Sequence, residues 1–266
     1  MQTEVVIVGA GPTGLALANL LGRYGRSAIV LETRSDLIDY PRGVGLDDES
    51  MRSIQTMDLV ESVRPYTIPH HVMRLVNGKG ETMITNAPQG EPFGWPRKFG
   101  FIQPLVDRQL FEGLARFDDI DVRFGHQVTD TRDLGDHVEV VATVTDADGT
   151  TREETITAQY VVGCEGGSSP TRKRMDVEFV GHSPSTRWVV IDVRNDPLGL
   201  PNVYLAPTRP GRTSRSACRT ASAGGSSCSS TTSRASASRT TSSSPRCSRT
   251  TSRTPRRSTS SAAASS

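Results

Sequence analysis

The sequence predicts an α/β fold with α+β character in its later part, and three observations predict it. An apolar run, Val5-Val6-Ile7-Val8, leads directly into Gly9-Ala10-Gly11-Pro12-Thr13-Gly14. A helical pattern follows from about Thr13 to Tyr24. A second apolar run, Ala28 to Leu31, then ends in the acid Glu32. Strand, glycine turn, helix and strand in this order describe a right-handed crossover in a parallel sheet.

Each residue type in the turn has a mechanical reason. Gly9 permits the tight exit from the strand, and Gly11 lets a diphosphate approach the backbone. Gly14 allows the helix to pack closely on the sheet. The helix N-terminus beyond Pro12 and Thr13 offers unpaired N–H donors and the positive end of its dipole. Glu32 lies about twenty residues past the first glycine, where a carboxylate accepts hydrogen bonds from a ribose. The first unit is therefore Rossmann-like and built to bind a dinucleotide.

Later elements alternate between helical and strand texture. Asp47-Asp48-Glu49-Ser50 supplies cap chemistry to a short helix bearing Met51, Ile54, Met57 and Leu59. Residues 72–87 read as a hairpin around Asn77-Gly78-Lys79-Gly80. Phe101-Ile102-Gln103-Pro104 ends a strand and feeds a helix with Leu105, Leu110, Phe111 and Leu114. His137–Thr145 and Thr150–Ala158 form a second hairpin, followed by a short buried strand, Tyr160 to Cys164, that runs into another Gly-rich turn. Trp188 to Val193 is a further strand. His70, His71 and His126 are expected at the surface. Phe93, Trp95 and Phe101 either line an aromatic pocket or form a small satellite core.

Composition divides the chain. From Gly211 to Ser266 only Ser, Thr, Arg, Ala, Gly, Cys and Pro occur. Such a segment has no large apolar side chains to offset its ordering entropy, so the tail is expected to be disordered. The formal net charge is +2, but ten arginines lie in the tail, leaving 21 basic against 29 acidic residues elsewhere. The remainder is thus acidic, which argues against a nucleic-acid surface. Three of the four cysteines, Cys218, Cys228 and Cys247, also fall in the tail; a lone Cys164 makes no disulfide framework. No Cys/His spacing suggests a metal. The start lacks a basic region before its apolar run, and no run is long enough to span a membrane. A cytoplasmic protein is expected.

With these residues laid out, the chain resembles the FAD-dependent aromatic hydroxylases, the single-component flavin monooxygenases. The carrying segments are Leu37-Ile38-Asp39-Tyr40-Pro41-Arg42, Gly45-Leu46-Asp47-Asp48-Glu49, Phe93-Gly94-Trp95-Pro96-Arg97 and Phe101-Ile102-Gln103-Pro104. Cys164-Glu165-Gly166-Gly167 and Trp188-Val189-Val190-Ile191-Asp192, with Asn195-Asp196-Pro197-Leu198 behind it, continue the match, which covers about residues 1–210. The resemblance implies an FAD-binding domain in two parts, 1–72 and 101–182. It also implies an interleaved, incomplete β-sheet substrate domain, 73–100 and 183–210, before the tail at 211–266.

By the same resemblance Gly9, Gly11, Pro12, Thr13, Gly14 and Glu32 hold the ADP half of FAD. Arg42 reaches the pyrophosphate and flavin side, and Gln103 hydrogen-bonds near the flavin. Glu165 and Gly166, with Ser169 and Arg172, match the second nucleotide motif, although the family's usual acid there is Asp. The implied reaction uses NADH or NADPH and O2 to hydroxylate a small phenolic aromatic acid ortho to its hydroxyl. The cofactor carries that chemistry, so no catalytic side chain or metal is implied. The family's later Gly-Asp-Ala-Ala-His motif has no counterpart among these 266 residues. The tail composition suggests a frameshift near Gly211, and the expectation is a chain impaired in turnover. A non-catalytic FAD-binding fragment, another FAD-dependent oxidoreductase and nucleic-acid binding through the tail are the alternatives.

Overall fold

The computed structural model describes residues 2–182 except 78 and 147, together with the backbone of 187–194, 202–206, 214–218 and 226–233. One compact unit spans Met1–Arg234; the second, Ala235–Ser266, lies outside the described residues.

The elements in chain order begin with β1 (Gln2–Val8), α1 (Pro12–Arg23), β2 (Ala28–Leu31), β3 (Gly45–Asp47) and α2 (Asp48–Thr56). Next come α3 (Val60–Val63), β4 (Thr67–Pro69), β5 (Val72–Val76), β6 (Thr82–Asn86), β7 (Lys98–Phe101) and α4 (Gln103–Glu112). β8 (Ile120–Arg123), β9 (His126–Asp133), β10 (Val138–Thr145), β11 (Thr151–Gly163) and α5 (Pro170–Arg174) follow. The last are β12 (Arg187–Arg194), β13 (Asn202–Ala206), β14 (Ser214–Cys218) and β15 (Ser226–Ser233).

The main sheet has the order β8-β2-β1-β11-β10-β9. β1 pairs in parallel with β2 on one side and β11 on the other. The chain leaves β1 for β2 through α1 and returns much later to β1's opposite edge. This makes the C-terminal end of β1 a topological switch point, where open α/β sheets place their ligands.

Alternation along β1 explains why the strand is apolar on both faces. Val5 and Ile7 pack with Leu15, Ala18, Val30, Met51 and Val106 on the helical side. Val6 and Val8 pack with Ile29, Leu31, Val128, Val140 and Ile156 on the other. Fully burying each such side chain stabilises the fold by about 1.5–3 kcal/mol.

A buried polar joint ties α1 to α4. Asn19 is fully buried, and its Nδ2 donates to the carbonyls of Leu15 at 2.9 Å and Leu110 at 2.7 Å. Its Oδ1 accepts from Arg116 at 3.1 Å. Removing one member leaves buried groups unpaired. Asn19→Ala should therefore cost about 2 kcal/mol in urea unfolding, with an unchanged m-value.

Several expectations need correction. The hairpin strand ending at Ala158 and the strand at Tyr160 to Cys164 are one continuous strand, β11. No Gly or Pro precedes its last residue, Gly163; its first part pairs antiparallel with β10 and its last part parallel with β1, and that last part is not buried, Tyr160 being 66% exposed. His71 and His126 are not at the surface, being 1% and 9% exposed. His71 donates its backbone N–H to Lys98, and His126 faces inward from β9 with Nδ1 2.7 Å from the Phe124 carbonyl.

A second sheet has the order β12-β15-β14-β13-β5-β6, so the 73–100 and 183–210 segments meet through β5 and β13. β14 and β15 fall inside the tail expected to be disordered and pair with each other antiparallel. A ladder uses main-chain donors and acceptors, which Ser/Thr-rich segments possess as fully as apolar ones. The rest of the tail, and Asn195 to Leu198, lie outside the described residues.

Candidate functional site

The register of the central strands builds the site. Val8 of β1 is level with Leu31 of β2 and with Gly163 of β11. The residues just beyond these ends, Gly9, Glu32, Cys164 and Glu165, therefore surround one opening. A cavity of about 1160 Å³ begins there and is lined by Gly9, Gly11, Thr13, Glu32, Arg42 and Gln103, among others. Its size matches or exceeds the range of small-molecule and cofactor sites, roughly 300–1,000 Å³.

The glycines divide by what surrounds them. Gly9 adopts φ +105°, and a Cβ there would sit 2.8 Å from the Cys164 carbonyl oxygen. At Gly14 a Cβ would lie 2.0 Å from the Gly9 carbonyl oxygen. Both are packing requirements. Gly11 differs: its backbone is ordinary extended chain (φ −76°, ψ 179°), and a Cβ would meet nothing within 4 Å. Its missing side chain keeps cavity space open beside the first turn of α1. That turn has Pro12 at its start and no side-chain cap. Its N–H groups are thus available to an anion, whose charge the helix dipole favours.

Glu32 is half-buried at the end of β2. Its Oε2 accepts from the Ala10 N–H at 2.9 Å and its Oε1 from the Arg34 N–H at 3.0 Å. A carboxylate has about four lone-pair sites, so two remain for vicinal hydroxyls.

Arg42 is exposed on the loop before β3 and lines the cavity, as does Arg34. Both guanidinium groups lie over the Tyr40 ring, at 5.7 and 5.8 Å from its centroid. Both donate to its hydroxyl, at 3.4 Å from Arg42 and 3.2 Å from Arg34. The Arg42 hydrogen bond and the two positive charges hold that phenol below the usual tyrosine range. Two planar cations on one aromatic support make a rim suited to phosphate oxygens.

Gln103 is buried on the cavity wall at the start of α4. Its Oε1 accepts from the backbone N–H groups of Arg42 and Gly43, and its Nε2 donates to Asp107. Its carbonyl is therefore fully used in holding the Arg42 loop, and one N–H remains for a ligand. Burial pushes the Asp107 carboxyl up to about 6, against the lowering effect of Gln103.

Glu165 and Gly166 line the cavity, whereas Gly14, Ser169 and Arg172 do not. Glu165 accepts from the Ser169 hydroxyl and from the Thr171 N–H, and Ser169 caps α5 by accepting from Arg172 N–H at 3.1 Å. The longer acid thus fastens the turn to α5. Arg172 points to the Val177 carbonyl at 2.6 Å and stacks on Phe179. Arg174 lines the cavity in its stead, donating to Thr171 and to the Val128 carbonyl.

Of the aromatic residues, Phe101 lines the cavity, Trp95 Nε1 donates to Gln55, and Phe93 is exposed under Arg52. Asp47 caps α2 by accepting from Ser50 N–H at 2.8 Å. Burial, then the Glu165 charge, raises the Cys164 thiol.

Sequence reasoning missed Arg34, Asp107 and Arg174. Asp107 had a signal: it lies four residues after Gln103 and so shares its helix face. Arg34 lies two residues past Glu32, beyond the strand end.

The residues fit an adenine dinucleotide: an unobstructed glycine turn, a carboxylate with free lone pairs, and two guanidinium groups share one cavity. Among the described residues no helix is long and apolar enough to cross a membrane.

Comparison with known proteins agrees. The chain is 50% identical over 211 residues to the 3-(3-hydroxy-phenyl)propionate/3-hydroxycinnamic acid hydroxylase of Mycolicibacterium gilvum, covering 79% of this chain and 36% of that protein. It is 42% identical to the hydroxylase of the same name from Escherichia coli, covering 79% and 37%. The chain thus spans little more than a third of the length of these relatives. Among solved structures it resembles p-nitrophenol 4-monooxygenase from Pseudomonas putida (TM-score 0.76, 22% identity, 86% of this chain and 57% of that one). The flavin-dependent monooxygenase PieE, solved with FAD and substrate, gives the same TM-score at 18% identity, over 90% of this chain and 44% of that one. These two likenesses concern the fold. The FAD-binding domain family matches residues 2–263, and the chain belongs to that family, on a fold shared with flavin monooxygenases.

Proposed function

We propose that this chain is the FAD-holding portion of a monooxygenase that hydroxylates a small phenolic aromatic acid. By the printed names of its relatives the substrate is of the 3-(3-hydroxyphenyl)propionate or 3-hydroxycinnamate type. Hydroxylation falls ortho to the existing hydroxyl, with NADH or NADPH and O2 as co-substrates, in the cytoplasm. The observation that carries this reading is the open space at Gly11 beside the uncapped start of α1.

Gly9, Gly11, Pro12, Thr13 and Gly14 form the diphosphate turn. Gly9 and Gly14 keep it tight, and Gly11 leaves the approach clear. Glu32 accepts from the adenosine ribose, and Arg42 neutralises phosphate toward the flavin side. Gln103 fixes the Arg42 loop and keeps one N–H for the cofactor. Glu165 and Gly166 close the far side of the opening, with Ser169 and Arg172 anchoring that turn to α5. When bound, the flavin supplies the electron transfer and oxygen chemistry; the residues named here bind it, orient it and exclude water.

The purified chain should carry or take up FAD, read as flavin absorbance bands that survive gel filtration. A colourless chain that shows no uptake on incubation with FAD contradicts the reading. The second reading kept alongside is an FAD-binding chain without turnover. NADH oxidation that rises on adding 3-(3-hydroxyphenyl)propionate selects the first. Bound flavin with no such rise selects the second.

A further inference from the structure

The segment carrying Arg42 is fastened to the body of the protein through one side chain. Gln103 Oε1 accepts from the Arg42 N–H at 2.7 Å and the Gly43 N–H at 2.8 Å, which fills both lone pairs of the amide oxygen. An amide facing two N–H donors must present its oxygen to them, so its NH2 must point the other way. There, Asp107 Oδ2 accepts from Gln103 Nε2 at 3.1 Å. The two residues lie four apart on α4 and are each 4% exposed.

Asp107 holds an unfavourable position for a carboxylate. Its Oδ1 is buried without a hydrogen-bond partner among the described residues. An apolar side chain would fill this site without that penalty. What the acid provides, and an apolar residue cannot, is the acceptor that fixes the far end of the Gln103 amide.

We propose that Asp107 is a positioning residue that acts through Gln103 to hold the Arg42–Gly43 segment at the cavity wall. It thereby presents Arg42 to whatever anion the cavity takes. The consequence for FAD affinity rests on the reading given above; the ordering of the segment does not.

The test compares Asp107→Leu, Asp107→Asn, Gln103→Leu and the Asp107→Leu/Gln103→Leu double variant of the full chain at pH 7. Amide hydrogen exchange at Arg42 and Gly43 is measured first, then FAD affinity by flavin fluorescence quenching. Asp107→Leu should speed exchange at both amides and weaken FAD binding, each by about tenfold, the worth of roughly one hydrogen bond. Asp107→Asn keeps an acceptor oxygen and should stay within about twofold of the wild type on both measurements. The double variant should be no worse than Gln103→Leu, because both changes break one relay.

Unchanged exchange in Asp107→Leu, an Asp107→Asn as disruptive as Asp107→Leu, or additive losses in the double variant each overturn the proposal. Should Asp107→Leu fail to fold, Asp107→Ala removes the same acceptor with less crowding and is judged by the same criteria. If the exchange pattern holds but the wild type takes up no FAD, the relay stands and the FAD reading falls.

Discussion

Gly11→Val should fold nearly as well as the wild type and bind FAD more than about a hundredfold more weakly. The two halves of this expectation have separate causes. The Gly11 backbone is extended with negative φ, so a branched residue fits it without strain, and no atom lies within 4 Å of its Cβ position. Losing glycine at the start of a helix costs about 1 kcal/mol at most. The valine methyls would instead project into the cavity, beside the N–H groups that a diphosphate must reach. Gly14→Ala provides the contrast. Its Cβ would lie 2.0 Å from the Gly9 carbonyl oxygen, which is backbone and cannot rotate away. That change should cost about 3 kcal/mol or more of stability, with any loss of FAD binding following from the damaged fold. Thermal unfolding and flavin titration of the two variants separate the effects. A Gly11→Val chain that still binds FAD like the wild type would place the cofactor elsewhere.

Asp107→Asn should stabilise the chain at pH 7–8 and leave it unaltered below pH 4. Burial raises the folded-state value from 3.8 to about 6. A raised carboxyl contributes stability while it is protonated, fully below about pH 4, and loses it as pH rises through about 6. A difference of about 2 pH units corresponds to about 3 kcal/mol. The asparagine carries no charge to desolvate and keeps the acceptor for Gln103. Its advantage should appear between pH 4 and 6 and then level off. Urea midpoints measured from pH 4 to 8 test this; an advantage that persists at pH 4 would point to packing instead of ionisation.

The first third of the fold was legible because its signals are local. Gly9, Gly11 and Gly14 at fixed offsets, an amphipathic run and Glu32 all fall within one crossover, and Gly9 and Gly14 stand where a Cβ would meet backbone. β9 was not legible: of its eight residues only Val128 is aliphatic, so no alternation shows in the sequence. The unity of β11 was missed because one strand serves two partners in opposite directions, which no single-strand pattern reveals. The main site was visible as separate motifs, but their roles depended on the fold. Gln103 turns out to spend its carbonyl on the Arg42 and Gly43 amides, contacts 60 and 61 residues away in sequence. Arg174 rather than Arg172 reaches the cavity, because the turn into α5 directs Arg172 toward Val177. Such outcomes are decided by tertiary hydrogen bonds and carry no periodic trace.

The most direct measurement follows backbone amide chemical shifts of the labelled chain as FAD is added. The account predicts perturbations concentrated at residues 9, 11, 13, 32–34, 42–43, 103 and 165–166, which border one opening above the end of β1. Saturable binding that moves none of these amides and shifts another part of the chain instead would contradict it.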